Sequence, residues 1–450
     1  MSAVPDAAPP ARAPSTPRLP DRVAGALRRL AVPRARIGTR AVLGAHLAAR
    51  AWSDRGRARG LRRSVLRLGF LEAALRTFGG DGMFGEGEAF YPLFLLPDFH
   101  GAHFDEALRR LLLPGRGPFA AHLAVTGACP SRCTYCYAAA GGPNPPDLGD
   151  ERVLAVARAL IAKGVPLISL GGGEPLSRFE RVVRLVEVLA PSAEVRLATS
   201  GVGLDAARAE RLKKAGLTAL AVSLDSDDAQ QVNLSRGYAR AFDAAVEALR
   251  CSADAGLITL VTSVVDSEGF RTTTDADRFL RFIQTIHPKL IVNFLPKFAT
   301  GRAASTGGFA SPAEYAPVAR ILARAIREGG YRATVFLDPL EQLMGCVGAG
   351  RRQLNVDIRG NVTACISGAS FGNLVEEPFD TVYERFRSDG ARLKRGFFCA
   401  SIGDRAGGAT VLDAEASFQA LAEFYASHPD TLFQKLLDRA GPQLAWLADG

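Results

Sequence analysis

Residues 129–136 read CPSRCTYC, and this short stretch organises the rest of the chain. Its cysteines, Cys129, Cys133 and Cys136, are separated by three and then two residues, and they follow an apolar run at 122–126 that reads as a strand. Cysteine thiolates are the usual ligands of iron–sulfur clusters. Three thiolates at this spacing can hold three corners of a cubane cluster, which leaves one iron open to a substrate.

Strand and helix patterns alternate after Pro118. We predict strands at 121–126, 166–170, 195–199, 219–224, 258–265 and 290–295, and helices near 150–164, 177–190, 204–215, 239–256, 274–286 and 312–329. Six βα units in series predict a parallel sheet with right-handed crossovers. Such a sheet curls into a partial or full barrel, and its chemistry lies in the loops at the C-terminal ends of the strands. The cysteine stretch follows the first strand at that end.

A second landmark is the stretch SLGGGEP at 169–175, which ends the second predicted strand. Consecutive glycines let the backbone approach a ligand or turn without a clash at Cβ. A glycine-rich turn alone is equally at home in a structural loop. Beside the cysteine stretch it becomes specific, because loops that follow neighbouring parallel strands lie side by side on one rim of a barrel.

Together these motifs resemble those of the radical S-adenosylmethionine (radical SAM) enzymes. The cysteines match the cluster motif of that family, including an aromatic residue, Tyr135, directly before the third cysteine. The glycine turn with Glu174 and Pro175 matches the motif that holds the methionine amino group of SAM. Further matches follow in the order of the family: TSG at 199–201, where the family often has TNG, VSLD at 222–225, SRG at 235–237, LP at 295–296 and GRA at 301–303.

The resemblance covers about residues 119–305 and implies fold, cofactors and ligands. The implied fold is α/β, a partial (β/α)6 TIM-type barrel. Cys129, Cys133 and Cys136 would hold a catalytic [4Fe-4S] cluster that binds SAM through its open iron. An electron from the cluster would break a carbon–sulfur bond, and the 5′-deoxyadenosyl radical would remove hydrogen from a substrate. The residues implied to bind SAM are Tyr135, Gly171, Gly172, Gly173, Glu174, Ser200, Ser223 and Arg236.

A zinc site is the alternative use of the three cysteines, with a remote His or Cys as the fourth ligand. The chain has six His, and none stands at ligand spacing from the cysteines, although His122 lies upstream. In that case the chain would be a non-enzymatic zinc- or iron–sulfur-binding regulatory protein.

Three more cysteines lie late in the chain. Cys346 and Cys365 flank an alternating segment at 354–363 that predicts a β-hairpin, and Cys399 follows. This spacing resembles the opening of the SPASM or Twitch auxiliary-cluster domains that follow many radical SAM barrels, and it implies a second iron–sulfur cluster on these cysteines. Such domains use four or seven cysteines, so an open iron, a ligand such as Asp404 and a metal-free site are alternatives.

The charge of the chain is concentrated near its start. Residues 1–64 hold fourteen Arg and three Asp but neither Lys nor Glu, which accounts for the net charge of +9. Basic helices at 21–79 predict either peripheral contact with anionic lipid or a solvated helical cap on the main domain. Basic residues are not interleaved with stacking aromatics, so nucleic acid is not an expected partner.

These features predict five segments: a disordered tail at 1–20, a basic helical region at 21–118, the radical SAM barrel at 119–310, the SPASM/Twitch-like domain at 311–405 and C-terminal helices at 406–450. Seven cysteines, mostly clustered, are unlike a disulfide scaffold and favour a reducing cytosol. No signal peptide or apolar window long enough to span a membrane is visible. We therefore expect a cytoplasmic location, with peripheral membrane contact through the basic helices as an addition.

We predict an enzyme that acts on a small molecule, such as a natural-product precursor or a lipid. The alternative is a radical SAM maturase of ribosomally made peptides. The region at 21–118 reads as helices and lacks the pattern of a winged-helix leader-binding domain, which favours the small molecule. The implied protein partner is an electron donor of the flavodoxin or ferredoxin type.

Overall fold

The computed structural model describes residues 117–142, 147–297, 301–309, 312–335, 353–363 and 370–390, together with His103, Glu106, Ala107 and Arg110. The predicted tail at 1–20, the basic helices at 21–79 and the C-terminal helices at 406–450 lie outside the described residues. Cys346, Cys365, Cys399 and Asp404 lie outside them as well, so the second cluster stays a prediction.

Ten strands form one sheet in the described part of the chain. They are β1 (Ala120–Thr126), β2 (Leu167–Gly172), β3 (Glu194–Thr199), β4 (Ala219–Ser223), β5 (Ile258–Val265), β6 (Ile291–Pro296), β7 (Ala333–Val335), β8 (Gln353–Val356), β9 (Asn361–Thr363) and β10 (Ser370–Asn373). The strand order is β10-β9-β8-β1-β2-β3-β4-β5-β6-β7. Strands β1 to β7 are parallel neighbours in chain order, as right-handed βα units require. The predicted α/β partial barrel is confirmed.

Helices connect most of these strands. They are α1 (Asp150–Ala162), α2 (Phe179–Leu189), α3 (Ala206–Ala215), α4 (Ala229–Arg236), α5 (Ala241–Asp254), α6 (Thr273–Ile286), α7 (Ala303–Thr306), α8 (Pro312–Gly329) and α9 (Phe379–Gly390). A 3-10 turn, Pro175–Arg178, precedes α2. The six predicted strands and six predicted helices all occur, with ends shifted by a few residues. The sequence also predicts a helix near 378–388, where α9 lies. Helices α4 and α7 and the short strands β7 and β10 are additions.

The predicted hairpin at 354–363 is present, but it is part of the barrel sheet. Asn355 pairs with Thr363 across the antiparallel strands β8 and β9. On its other side β8 runs parallel to β1, and Asn355 lies opposite His122. The hairpin therefore extends the sheet beyond its first strand. The domain boundary expected at residue 310 stays a prediction.

The two faces of the sheet pack against different partners. Alternate residues such as Leu123, Ile168 and Val195 join the helices in the main hydrophobic core. Residues of the opposite face of the central strands, Ala219 and Leu260 among them, form a separate small cluster. We call this second face the inner face, because helices cover the first one. Period-two alternation separates the residues of a strand in this way.

No helix among the described residues is both long and apolar enough to cross a membrane.

An aromatic cluster closes the core beside the last strands of the barrel. Phe270, Phe279 and Phe294 have ring centroids 5.4 to 6.0 Å apart, with edge-to-face or tilted rings. All three side chains are buried. Aromatic pairs in this geometry stabilise a core beyond the area they bury.

We therefore expect Phe294→Ala to lower the free energy of unfolding by about 3–5 kcal/mol, since it leaves a large cavity. Urea denaturation followed by far-UV circular dichroism measures the change. Leu234→Ala is the control, because Leu234 is 79% exposed on α4, and we expect a change below about 0.5 kcal/mol. Equal losses in the two variants would show that the aromatic cluster is not a principal part of the core.

Candidate functional site

The cysteine loop and the glycine turn are in contact at the C-terminal edge of the sheet. The backbone N–H of Gly173 donates to the carbonyl of Thr126 at 2.7 Å, and that of Glu174 donates to the carbonyl of Ala128 at 2.8 Å. A Cβ at Gly173 would overlap the carbonyl oxygens of Gly127 and Ala128. Gly173 is therefore needed for the close contact between the two backbones. The cysteine loop and the glycine turn lie side by side, as the sequence predicts.

The far side of the cysteine loop is held by residues that follow β4 and β6. The N–H of Arg132 donates to the carbonyl of Arg236 at 2.9 Å, and the N–H of Thr134 donates to the carbonyl of Ser235 at 2.9 Å. Arg302 donates through Nε to the carbonyl of Cys133 at 2.7 Å and through Nη1 to that of Ala140, also at 2.7 Å. The loop is thus fixed by three separate segments of the chain.

The three thiols lie on this loop, partly buried. Burial raises the pKa of Cys129 to about 11, and the charges of Glu174, Cys133 and Cys136 add to the effect. Burial also raises the pKa of Cys133, while Arg236 opposes the shift. Thiolates are the form that binds metal, so a positively charged group must be present to favour them here.

The donor set matches an iron–sulfur cluster better than a single ion. Among the described residues, no three His, Cys, Asp or Glu side chains converge as the ligands of one metal ion do. The thiols of Cys133 and Cys136 both raise the pKa of Cys129, so the three lie near one another on one loop, as in a cluster in which each of several irons takes one thiolate. The three cysteines therefore fit the [4Fe-4S] group that the sequence implies.

Asp225, two residues after β4, joins three parts of the site. The Tyr135 hydroxyl and Arg236 Nη2 both donate to its Oδ2, the second at 2.6 Å. The N–H of Val264 on β5 donates to its Oδ1 at 2.8 Å. The guanidinium of Arg236 also lies 5.7 Å from the centre of the Tyr135 ring. One carboxylate thereby links the cysteine loop, α4 and β5.

Arg236 is a buried cation, and one of its hydrogen-bond donors has no acceptor. It is 4% exposed, and its Nε is buried without a hydrogen-bond partner. Burial disfavours its charged form, but Asp225 and Tyr135 outweigh this and keep its pKa above the ordinary value. A buried N–H without an acceptor costs about 1–3 kcal/mol. A bound carboxylate would satisfy it, which fits the role implied for Arg236 toward SAM.

Glu174 ties the glycine turn to the loop after β3. Its carboxylate accepts hydrogen bonds from Thr199 Oγ1 at 2.6 Å, from Ser200 N at 2.7 Å, from Ser200 Oγ at 2.5 Å and from Leu176 N at 3.0 Å. Burial raises its pKa, and these bonds act in the opposite direction. A carboxylate has about four acceptor positions, so the side chain is saturated within the protein. Its hydrogen bonds hold the loop after β2 to the loop after β3.

The remaining predicted contacts lie at the same edge. Gly171 and Gly172 end β2, Ser223 ends β4, and Ser200 follows β3. The hydroxyl of Ser200, where the family often has Asn, is committed to Glu174. All predicted barrel residues therefore share one edge of the sheet.

Three organising residues receive no role from sequence alone: Asp147, Asp225 and Arg302. Asp225 and Arg302 lie in segments that follow strand ends, and that position is the signal that points to them. Asp147 accepts bonds from the Thr126 hydroxyl and, at 2.8 Å, from the N–H of Gly127. It follows an irregular Pro-rich stretch, and nothing in the sequence marks it.

Comparison with known proteins agrees with this geometry. Residues 123–280 match the sequence model of the Radical SAM superfamily. The GTP 3′,8-cyclase of Mycolicibacterium smegmatis is 40% identical over 121 residues, which cover 26% of this chain and 33% of the relative. That of Moorella thermoacetica is 33% identical over 201 residues, covering 43% of this chain and 59% of the relative. The chain thus spans between a third and three fifths of the length of these relatives.

Two solved structures share the fold. Native anSMEcpe with bound AdoMet has a TM-score of 0.52 at 17% identity, and the match covers 70% of this chain and all of that one. Streptococcus suis SuiB bound to the precursor peptide SuiA has a TM-score of 0.50 at 14% identity, covering 64% of this chain and 70% of that one. At such identities the likeness concerns the fold. The region at 123–280, which carries the cysteine loop and the glycine turn, is therefore a radical SAM domain.

Proposed function

We propose that this chain is an enzyme that cleaves SAM reductively and uses the resulting radical to remove hydrogen from a small organic molecule. The observation that carries the proposal is the meeting of three thiols, a glycine turn and a buried arginine with a free N–H at one edge of the sheet. A regulatory metal site would need the thiols but not the other two.

The roles follow from the geometry. Cys129, Cys133 and Cys136 hold the [4Fe-4S] cluster. Bound together, cluster and SAM supply the one-electron cleavage of a carbon–sulfur bond. Arg236 offers its free N–H to the carboxylate of SAM, and Tyr135 supports Arg236 through Asp225. The other residues proposed for SAM are the backbone of Gly171, Gly172, Gly173 and Glu174, and the hydroxyls of Ser200 and Ser223. Because the Ser200 hydroxyl donates its hydrogen to Glu174, it can contact SAM only as an acceptor.

The inner face offers room for a substrate beneath this edge. Ala124 pairs with Gly171, and Ala198 pairs with Ala221, so four strands carry small residues where parallel barrels usually place bulky ones. A Cβ on Gly171 would lie 2.5 Å from Cε1 of His122. The imidazole of His122 thus occupies the space that this glycine leaves.

The floor of this space is polar and carries no unpaired charge among the described residues. Asn355, 5% exposed and opposite His122, has an Oδ1 without a hydrogen-bond partner. Burial lowers the pKa of His122 to about 4, so its imidazole is neutral near pH 7. Arg196, on the same face, is paired with Glu194 at 2.7 Å. We infer that an uncharged hydrogen-bonding group of the substrate reaches this floor.

Conversion of GTP is the second candidate. It is favoured by relatives named GTP 3′,8-cyclase that are 40% identical over 121 residues and 33% identical over 201 residues. Against it, a triphosphate needs cations to bind it, and the floor formed by the described residues holds Arg196 already paired. A peptide substrate has only the fold of SuiB in its support.

The second cluster remains part of the proposal. Cys346 precedes β8 and Cys365 follows β9, and antiparallel pairing brings the start of β8 and the end of β9 to one end of the hairpin. The two segments that contain Cys346 and Cys365 therefore join the hairpin at the same end, which supports our proposal that these cysteines share a cluster.

The first prediction concerns the cluster cysteines. Cys129→Ala, Cys133→Ala and Cys136→Ala combined should abolish formation of 5′-deoxyadenosine from SAM and dithionite, because the catalytic cluster loses its thiolates. The same variant should retain about four irons per chain, held by the second cluster. Cys251→Ala is the control, since this thiol is buried in α5. A reconstituted wild type that forms no 5′-deoxyadenosine would refute the enzyme and leave the regulatory alternative.

The second prediction concerns Asp225. Asp225→Ala should lower the free energy of unfolding by about 3–5 kcal/mol, because it leaves the buried Arg236 without its counter-charge. Combining Asp225→Asn with Arg236→Gln should recover most of this stability, because no buried charge remains. SAM affinity, measured by equilibrium dialysis, should be at least about tenfold weaker in the double variant than in the wild type, because the double variant lacks the charge-assisted bond from Arg236 to the SAM carboxylate. Full recovery of affinity would show that Arg236 does not bind SAM.

The third prediction concerns GTP. Added to the reconstituted enzyme with SAM and dithionite, GTP should leave the rate of 5′-deoxyadenosine formation unchanged, since the cation that the described residues place on the floor, Arg196, is already paired with Glu194. Chromatography of GTP and 5′-deoxyadenosine over time provides the measurement. Loss of GTP in step with 5′-deoxyadenosine would assign the second candidate instead.

A further inference from the structure

We propose that Lys297 binds a carboxylate of the substrate at the C-terminal edge of the inner face, so that the substrate is a small organic acid with an apolar segment next to its carboxylate. The inference rests on the proposed function, which requires a small molecule on the inner face. It adds the charge of that molecule and the residue that holds it.

Lys297 continues the inner face beyond the end of β6. Its N–H donates to the carbonyl of Val265 at 2.7 Å, which extends the pairing of β5 with β6 by one residue. Leu260 and Ile291 pair with each other and belong to the small cluster of the inner face. Every second residue along β6 from Ile291 shares that face, which leads to Leu295 and then to Lys297. The lysine side chain therefore lies on the inner face, at the edge where the thiols lie.

The ammonium group of Lys297 has a counter-charge nearby but no hydrogen-bond acceptor among the described residues. Its Nζ lies 3.9 Å from Oδ2 of Asp266, beyond hydrogen-bond distance, and the side chain is only 14% exposed. Asp266 is held back because its Oδ1 accepts the N–H groups of Glu268 and Gly269, at 3.0 Å each. A largely buried ammonium with three donors needs acceptors. A carboxylate of the substrate would supply them.

The backbone of Lys297 is fixed from two sides. Its N–H is bonded to β5, and its carbonyl accepts the N–H of Phe309 at 2.8 Å. Phe309 is buried, and its ring packs edge-to-face against Tyr315 with the ring centroids 5.2 Å apart. A binding group on a fixed backbone loses less conformational freedom when a ligand arrives, which favours affinity.

The wall next to Lys297 is apolar and partly open. Val264 and Leu295 pair between β5 and β6 two residues before the lysine, and both are partly exposed. Two residues correspond to about 7 Å along a strand. The pair of Ser223 and Thr262, also partly exposed, follows on the same face. A ligand held by its acidic end at Lys297 would therefore lay an apolar segment on Val264 and Leu295.

This position adjoins the proposed SAM site. The N–H of Val264 donates to Asp225, the carboxylate that pairs with the arginine proposed for SAM. Arg302, five residues beyond Lys297, donates to the carbonyl of Cys133. A substrate anchored at Lys297 would thus lie beside the place where the radical forms, with its apolar segment offering the hydrogen.

The charges at this position favour a ligand with a single negative charge. One ammonium lies beside one carboxylate, so Asp266 would repel a group with several negative charges, such as a triphosphate. A neutral ligand would leave the ammonium without a charged partner, and a cationic ligand would be repelled by it. A carboxylate meets both conditions.

The test uses octanoate as the probe, because it combines one carboxylate with an apolar chain. In equilibrium dialysis against the full reconstituted chain with SAM, octanol and octylamine should bind at least about tenfold more weakly than octanoate. Lys297→Met should weaken octanoate binding about tenfold, since the charge-assisted hydrogen bond is lost while most of the side-chain volume remains. Lys297→Arg should stay within about threefold of the wild type. Lys214→Met, at an exposed lysine on α3, is the matched control and should leave octanoate binding unchanged.

A second variant separates binding from a loss of structure. Asp266→Asn should strengthen octanoate binding about threefold, because it removes the competing charge and keeps the oxygen that accepts the N–H groups of Glu268 and Gly269. SAM affinity in Lys297→Met should stay within about twofold of the wild type, which a misfolded variant would not achieve.

Three results would each overturn the proposal: no preference of the wild type for octanoate over octanol, unchanged octanoate binding in Lys297→Met, or weaker binding in Asp266→Asn. Failure of the proposed function would look different. The wild type would then form no 5′-deoxyadenosine from SAM and dithionite, while octanoate would still bind and still depend on Lys297.

Discussion

Asp225 receives hydrogen bonds from a phenol on the cysteine loop, a guanidinium on α4 and a backbone amide on β5. These groups come from distant parts of the sequence, and the buried guanidinium of Arg236 is stable only beside a counter-charge. The carboxylate must therefore occupy the place where all three meet. The carboxylate then links Tyr135 to Arg236, and it couples the cysteine loop to the arginine that we propose binds SAM.

The rest of the rim repeats this pattern of mutual support. Glu174 joins the loops after β2 and β3, and Arg302 joins the segment after β6 to the carbonyls around Cys133. Loops on a protein surface are usually its most mobile parts. Here buried polar bonds tie each loop to another, so the parallel sheet provides the positions and these bonds provide the rigidity. A site that must hold a cluster and a second cofactor in register needs both.

Sequence reasoning succeeded where the signal is local. Alternation of strands and helices placed β1 to β6, and strand ends located the cysteine loop and the glycine turn. It missed α4, whose sequence AQQVNLSR buries only Val232 and Arg236 and so lacks an apolar face. It also missed the pairing of β8 with β1, because a strand contact between residues more than two hundred positions apart leaves no local pattern. Asp225 is part of the motif VSLD, but its hydrogen-bond partners Tyr135 and Val264 are brought to it only by the fold.

Helix α4, which the sequence did not predict, directs its side chains to two different surroundings. Helix α4 turns Arg236 inward, where its free Nε meets the place proposed for SAM, and turns Leu234 outward to solvent. Residues two apart on a helix face in different directions, since each residue turns the chain by a little over a quarter of a circle. Eight residues are therefore enough to direct one side chain toward the site and another toward solvent. The backbone bonds from Arg132 and Thr134 then hold the end of α4 beside Cys133, so this short polar helix is positioned by the loop that it supports and not by an apolar stripe.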